Sequence, residues 1–289
     1  MSAETAAKVV RATQPEPVDT RLASLRATYI IWYRDLLRYW RDRWRLVASL
    51  AQPLLFLLVF GSGLSTALGG AFGRGTGLSY IQFIYPGIIG MAILFTAIFG
   101  AMSIVWDREF GFLKEVLVAP IDRWAVAIGK ALGGTTQAMI QGLILLVLAP
   151  VVGVKLNLLT VIALVPLAAV LAFGLASFGV AIASMMKSLQ GFQVVMNFLM
   201  MPMFFLSGAL FPLTAGLPAW MTVLTRLDPA AYGIDPIRRV VLGGSGNAAN
   251  AYALTLFGHV LTIPTEACIV LAFGSVMLLV AVVMFERRD

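Results

Sequence analysis

Few residues in this chain carry reactive chemistry, and their placement excludes most of it. There is one histidine, His259, and one cysteine, Cys268. A site built from several imidazoles is excluded, no intrachain disulfide can form, and a thiolate metal site lacks ligands. Gly61-Ser62-Gly63 and Ser207-Gly208 could serve as serine nucleophile turns. A serine nucleophile needs a base within hydrogen-bond reach, and His259 is the only imidazole. Small residues at such positions also let membrane helices pack closely, which is the plainer reading. An intramembrane hydrolase stays as an alternative. The nearest string to a phosphate loop is AIGKALGG at 127–134, where Lys130 is followed by Ala131. It lacks the Ser or Thr and the glycine spacing that cradle nucleotide phosphates. If ATP powers this protein, another subunit binds it, with its Mg; this chain carries no cofactor of its own.

Two features remain. Glu266 is the one clear acidic residue in a predicted span, and intramembrane carboxylates are functional candidates by default. It lies two turns deep if the span begins near 257, and at the interface if it begins at Thr262 or Pro264. The second feature is the stretch 108–123, REFGFLKEVLVAPIDR, in a chain that is only 12% charged. Arg108, Glu109, Lys114, Glu115, Asp122 and Arg123 are gathered there with Phe110, Phe112, Leu113 and Val116. Such a segment presents apolar knobs to a protein cleft and a polar rim that fixes register. A solvated loop with incidental charges is the other reading.

The elements that must hold these residues are membrane helices. The chain has 289 residues, is 60% hydrophobic and has a mean hydropathy of +0.91. A helix of about 20 apolar residues crosses roughly 30 Å of hydrocarbon. Six such segments are predicted, at about 45–67, 80–106, 126–152, 157–185, 189–212 and 257–284. The fold class is therefore an all-α polytopic membrane protein with six transmembrane helices. No ladder of Asp, Glu and His crosses them, which disfavours a proton antiporter.

Sixteen of the Lys and Arg residues fall at 8–45, 108–130, 187 and 287–288, against five on the other side. The positive-inside rule puts the larger set, both termini and the 108–123 stretch in the cytoplasm. The formal charge of +7 is thus read as topology, not as a nucleic-acid surface. Residues 1–20 are predicted to be a disordered cytoplasmic tail, and 45–289 the transmembrane domain.

Residues 21–44 form a different element. On a helical wheel Leu22, Leu25, Tyr29, Trp32, Tyr33, Leu36, Leu37 and Trp40 share one face. Arg34, Asp35, Arg38, Arg41 and Asp42 share the other. This suits an N-terminal amphipathic interfacial helix, with rings at headgroup depth and Arg toward water and anionic lipid. Residues 207–242 are broken by Pro212, Pro218, Pro229 and Pro236 and read as short re-entrant outer helices before the last span. The Met-rich piece VMNFLMMPMFF at 195–205 fits helix packing around a kink at Pro202, or an adaptable surface for greasy ligands.

Three motifs in this order resemble the ABC-2 type permeases, the membrane subunits of type V ABC exporters. In REFGFLKEVLVAPIDRWAVAIGK, Arg108, Glu109, Gly111, Glu115, Leu117, Pro120, Arg123, Gly129 and Lys130 match; Lys114 stands where the family more often has an acidic residue. FLSGALFPL at 205–213 runs through LPAW at 217–220. LDPAAYGIDPIRR at 227–239 follows the family's N-P-L-x-Y-x-x-D-x-x-R, with Asp228 for the usual Asn. Drug-resistance permeases of the daunorubicin type and nodulation-factor permeases look similar.

The resemblance implies a coupling helix in the loop 107–125, docked on a separate ABC ATPase through Arg108, Glu109, Phe110, Gly111, Phe112, Lys114 and Glu115. It implies two ATPase copies and a second permease copy, a homodimer with the first and fifth spans at its contact, in a bacterial inner membrane. The second and fifth spans would border the substrate path, which makes Phe83, Phe95, Phe99, Met196, Asn197 and Met200 its candidates. An apolar lining would favour drugs, lipids or lipid-linked compounds. A polysaccharide or glycolipid exporter is the alternative within the family, and a non-transporting scaffold for an ATPase the alternative outside it.

Overall fold

A computed structural model of the chain describes residues 20–64, 79–111, 122–154, 156–212, 218–243, 253–256 and 259–288. Phe112, Lys114 and Glu115 of the expected coupling loop, and the N-terminal tail, lie outside the described residues. The described part is almost entirely helical. In chain order the helices are α1 Thr20–Arg41, α2 Arg43–Leu58, α3 Tyr80–Gly100, α4 Met102–Glu109, α5 Arg123–Val147, α6 Leu158–Met185, α7 Leu189–Leu206, α8 Ala219–Leu227, α9 Pro229–Leu242 and α10 Ile263–Arg288. A two-residue antiparallel pair, Thr255–Leu256 with His259–Val260, precedes α10.

Among the described residues, four segments can cross a membrane by length and composition: Tyr80–Glu109, Leu158–Met185, Leu189–Leu206 and Ile263–Arg287. A fifth is counted if α1 and α2, bent by 70° at their junction, are taken as one broken span. Six spans were expected. The shortfall has a physical cause in α5. It has 25 residues, long enough to cross, but Lys130, Gln137 and Gln141 dilute its apolar run. All three are buried against neighbouring helices, not lipid.

Other boundaries differ too. The apolar run expected at 45–67 leaves the α-helix after Leu58 and widens into a π turn over Val59–Leu64. The run expected to 212 ends at Leu206, where Gly208 turns the chain with φ +72°, a value that only glycine adopts without strain. The last span begins at Ile263, so Glu266 stands in its first turn.

Side-chain chemistry sets the helix starts. Ser79 and Gln82 close a reciprocal capping box at the start of α3, and Ser188 accepts from the Gly191 amide at the start of α7. Asp228 accepts from the Ala230 amide and is followed by Pro229 at the first position of α9. The bundle is held by close approach of small residues. Gly100 of α3 meets Gly134 of α5, which lies against Ala176 of α6. Gly174 of α6 and Gly274 of α10 meet in the same way. A bilayer offers little hydrophobic drive between helices, so such backbone contact is the main adhesive there.

Candidate functional site

At the end of the bundle that carries Arg108 and Arg123, α1 lies along α5. Gly129 and Gly133, four residues apart on α5, admit it: a Cβ at Gly129 would touch Ile31 and the Thr28 carbonyl at 3.0 Å, and one at Gly133 would meet Asp35 at 3.3 Å. The contact is bonded along its length. Ser24 Oγ donates to Asp122 Oδ2 and accepts from the Asp122 amide, both at 2.9 Å. Thr28 Oγ1 reaches the Ala125 carbonyl at 3.3 Å, and Trp32 Nε1 donates to Thr136 Oγ1 at 3.0 Å. Tyr39 donates to Gln141 at 3.1 Å.

Asp35 overturns the expectation that its face of α1 points to water. It is buried, with Lys130 Nζ at 3.1 Å. Lys130 also pairs with Asp107 of α4 at 2.8 Å and donates to Ser103 at 3.0 Å. Arg34 closes the cluster on Asp107 at 2.9 Å. Two buried carboxylates, a buried ammonium and a guanidinium thus join α1 to both arms of the loop, α4 entering it and α5 leaving it. Of the expected apolar face of α1, Leu22, Leu25, Tyr29, Tyr33, Leu37 and Trp40 are exposed, while Trp32 and Leu36 are half-buried.

The loop residues that are described do not all face outward. Phe110 is 67% exposed, and Gly111 adopts φ +81°. Arg108 and Glu109, read from sequence as part of a polar rim, turn back on the protein. Arg108 Nη1 donates to the Met186 carbonyl at 2.7 Å and the Ser184 carbonyl at 3.0 Å. Glu109 accepts from the Leu189 amide at 2.9 Å.

A second feature is a 370 Å³ cavity between α2 and α3, beside the end of α1. Phe95 and Phe99, expected on the path, line it with Met91 and Met102; Tyr39, Gln52 and Thr96 supply polar groups. The other expected path residues lie elsewhere. Phe83 is fully buried beneath the Arg238 guanidinium, 4.5 Å from its ring centroid. Met196 and Met200 are buried on the inner face of α7, and Asn197 is exposed on its outer face. Gln52 was missed, although a polar residue in the run LVASLAQPLLFLL was the signal that could have found it.

At the opposite end Glu266 is fully buried and pairs with Arg239. Arg239 also holds Asp235 at 2.9 Å and donates to the Leu261 carbonyl at 2.7 Å. This ties α9 to the first turn of α10. Ser207 Oγ donates to the Phe204 carbonyl, and His259 sits in the short strand pair.

The sequence profile of the ABC-2 type transporter family matches residues 26–242. The chain belongs to that family. Its relatives include the transport permease ycf38 of Cyanophora paradoxa, 31% identical over 201 residues, 67% of this chain and 66% of that protein. Nodulation protein J of Rhizobium leguminosarum bv. viciae is 27% identical over 224 residues, 77% of this chain and 82% of the relative. The inner membrane transport permease YadH of Escherichia coli K12 is 27% identical over 219 residues, 74% and 82% of the two chains. The matched region of this ABC-2 family member runs from within α1 to the end of α9, and so includes the joint around Lys130, the loop and the cavity. Two of these three relatives are named transport permeases, and the apolar helices make this an integral membrane protein.

Proposed function

We propose that this chain is the membrane subunit of an ATP-driven exporter that moves a hydrophobic or amphiphilic compound out of the cytoplasm or inner leaflet. The observation that carries the reading is the bonded platform at the loop end: α1 held along α5 and joined through Lys130 to α4. A force on the loop 107–125 would reach the interfacial helix and two spans together. The ATP, its Mg and its hydrolysis belong to a separate ABC ATPase in two copies, seated on the loop in the cytoplasm. Both termini share that side, and α2 and α5 complete a set of six spans in a bacterial inner membrane.

The substrate class is argued from the cavity. Its walls are mainly Phe and Met side chains and proline, with a few hydroxyls and one amide. Such a lining suits a drug, a lipid or a lipid-linked molecule. A second copy of the chain is supported by α7. Asn197 stands on an outer face with the exposed Val194, Phe198 and Met201. An amide facing hydrocarbon lacks partners, and a symmetry mate supplies them. Exposed Leu55 of α2 and Val59 of the π turn after it lie close by, since Phe56 meets Phe204 of α7.

The test is reconstitution of the full chain with its cognate ATPase in liposomes, using rhodamine 6G and an NBD-labelled phospholipid as probes. ATP-dependent movement of either, lost on Phe110→Asp, is the expected result. ATP hydrolysis with neither probe moved, in the presence of bound ATPase, would overturn the substrate class. Absence of any ATPase association would overturn the reading itself.

A further inference from the structure

Three charged side chains at the two ends of the loop bond back to the bundle, each onto the end of a different helix. Arg108 donates to the carbonyls of Ala183, Ser184 and Met186, the last turn and cap of α6. Its neighbour Glu109 accepts from the Leu189 amide, the first residue of α7. Arg123, where the loop returns, donates to the carbonyls of Phe285 at 2.7 Å and Glu286 at 3.0 Å, near the end of α10. Each charge has the sign that its helix end favours: cations on the terminal carbonyls of two C-termini, an anion on the first amide of an N-terminus. The arrangement is covalently economical. Residues 108 and 109 are adjacent, and the two helix ends they hold are the two arms of a tight hairpin, with α6 ending at Met185 and α7 starting at Leu189.

From this geometry we propose that Arg108, Glu109 and Arg123 are the transmission of the loop and not part of its docking surface. When the loop moves, α4 carries residues 108 and 109 with it, and their bonds drag the α6–α7 hairpin. Arg123 does the same to α10. Helix-end bonds suit this work because they grip main chain. A main-chain atom cannot swing away as a rotamer, so displacement of the charge becomes displacement of the helix. The charged bonds fix the register of α4 on this hairpin. These are positioning residues, and the assignment rests on the proposed coupling to an ATPase.

The experiment uses the full chain in liposomes with its ATPase. Cys268 is replaced by Ser, and Lys187→Cys, exposed in the turn between α6 and α7, is the single labelling position. The rate of maleimide labelling is compared with and without ATP and vanadate, alongside recovery of the ATPase by pull-down. Glu109→Lys places a like charge on the α7 N-terminus. It is expected to keep wild-type ATPase recovery and to lose the ATP-dependent change in labelling. Glu109→Gln, whose carbonyl accepts the same amide proton, is expected to retain both. If Glu109→Lys does not reach the membrane, Arg108→Gln, which keeps a shorter donor, carries the same comparison. Loss of ATPase recovery in these variants would overturn the proposal, because the charges would then belong to the docking surface. A labelling change equal to wild type would overturn it as well. An unmodified chain that binds the ATPase but shows no ATP-dependent change would overturn the coupling reading, and the transmission with it.

Discussion

Replacing Lys130 by Met tests whether the joint between α1, α4 and α5 is held by charge. Lys130 is almost completely buried, as are Asp35 and Asp107, which it contacts at 3.1 and 2.8 Å. Removing the ammonium leaves two buried carboxylates facing Arg34, at 3.7 Å from Asp35 and 2.9 Å from Asp107. Arg38 compensates little, being half exposed and 3.8 Å from Asp107. One negative charge is then unbalanced, and stranding a charge in this way costs about 3–5 kcal/mol. Arg34 is already within reach of both carboxylates, so the lower end, about 3 kcal/mol, applies. At roughly 2–4 °C per kcal/mol, the melting midpoint in detergent should fall by roughly 6–12 °C. Adding Asp35→Asn restores the balance, since Asp107 and Arg34 remain paired. The double variant should therefore melt above the single one despite carrying one more substitution, a non-additivity expected of residues in contact. A double variant that melts at or below Lys130→Met would refute the charge argument and leave packing as the explanation. An unchanged midpoint in the single variant would refute it more directly.

Burial pushes the Asp228 carboxyl from its ordinary 3.8 up to about 8, although the Ala230 amide that it accepts from pulls the other way. The folded state therefore holds this proton more tightly than the unfolded state. Its stabilising contribution is complete below about pH 4 and is lost as pH rises through about 8. Asp228→Asn, the residue that the family more often has, keeps the cap and should flatten the fall in melting midpoint between about pH 4 and about pH 8; an unaltered slope would count against the assignment. Arg239→Met strands Asp235 and Glu266 together and should destabilise by about 3–5 kcal/mol, while Glu266→Gln, which leaves Arg239 and Asp235 paired, should cost far less. Equal loss of melting midpoint in the two would show that Glu266 does more than balance Arg239. Gly129→Leu should lift α1 from α5, because even a Cβ there meets Ile31 and the Thr28 carbonyl at 3.0 Å. Tryptic cleavage at Arg34 and Arg38 should then be several times faster, and a wild-type cleavage pattern would mean that α1 is held elsewhere.

The all-α membrane character was legible because it depends only on composition along the chain. Long apolar runs such as 158–185 can be read without knowing any neighbour. The order of the motifs gave the family for a related reason, since motif spacing is a property of the line and not of the fold. What failed was direction. The helical wheel sorted α1 into apolar and polar faces and sent Asp35 to water with the arginines. That inference assumes that polar side chains seek solvent. Asp35 instead seeks Lys130, 95 residues away in sequence, on a helix whose own polar groups made it look like a weak span. Each charge is anomalous alone, and each explains the other: Lys130 is tolerable inside α5 because Asp35 and Asp107 face it. The same holds at the other end, where Glu266 looked like a lone intramembrane acid until Arg239 was beside it. The residues expected on a substrate path are scattered for a different reason. Phe83, Met196 and Met200 were chosen by residue type, but they are buried in the core, because a helix offers one face to a cavity and another to the core. Phe95 and Phe99 line the cavity together because Phe95, Phe99 and Met102 recur at helical spacing along the side of α3 and α4 that meets α2. Charge in a membrane helix therefore reads best as half of a pair, and the search for its other half, at the same depth on another segment, is the step that sequence reasoning can add.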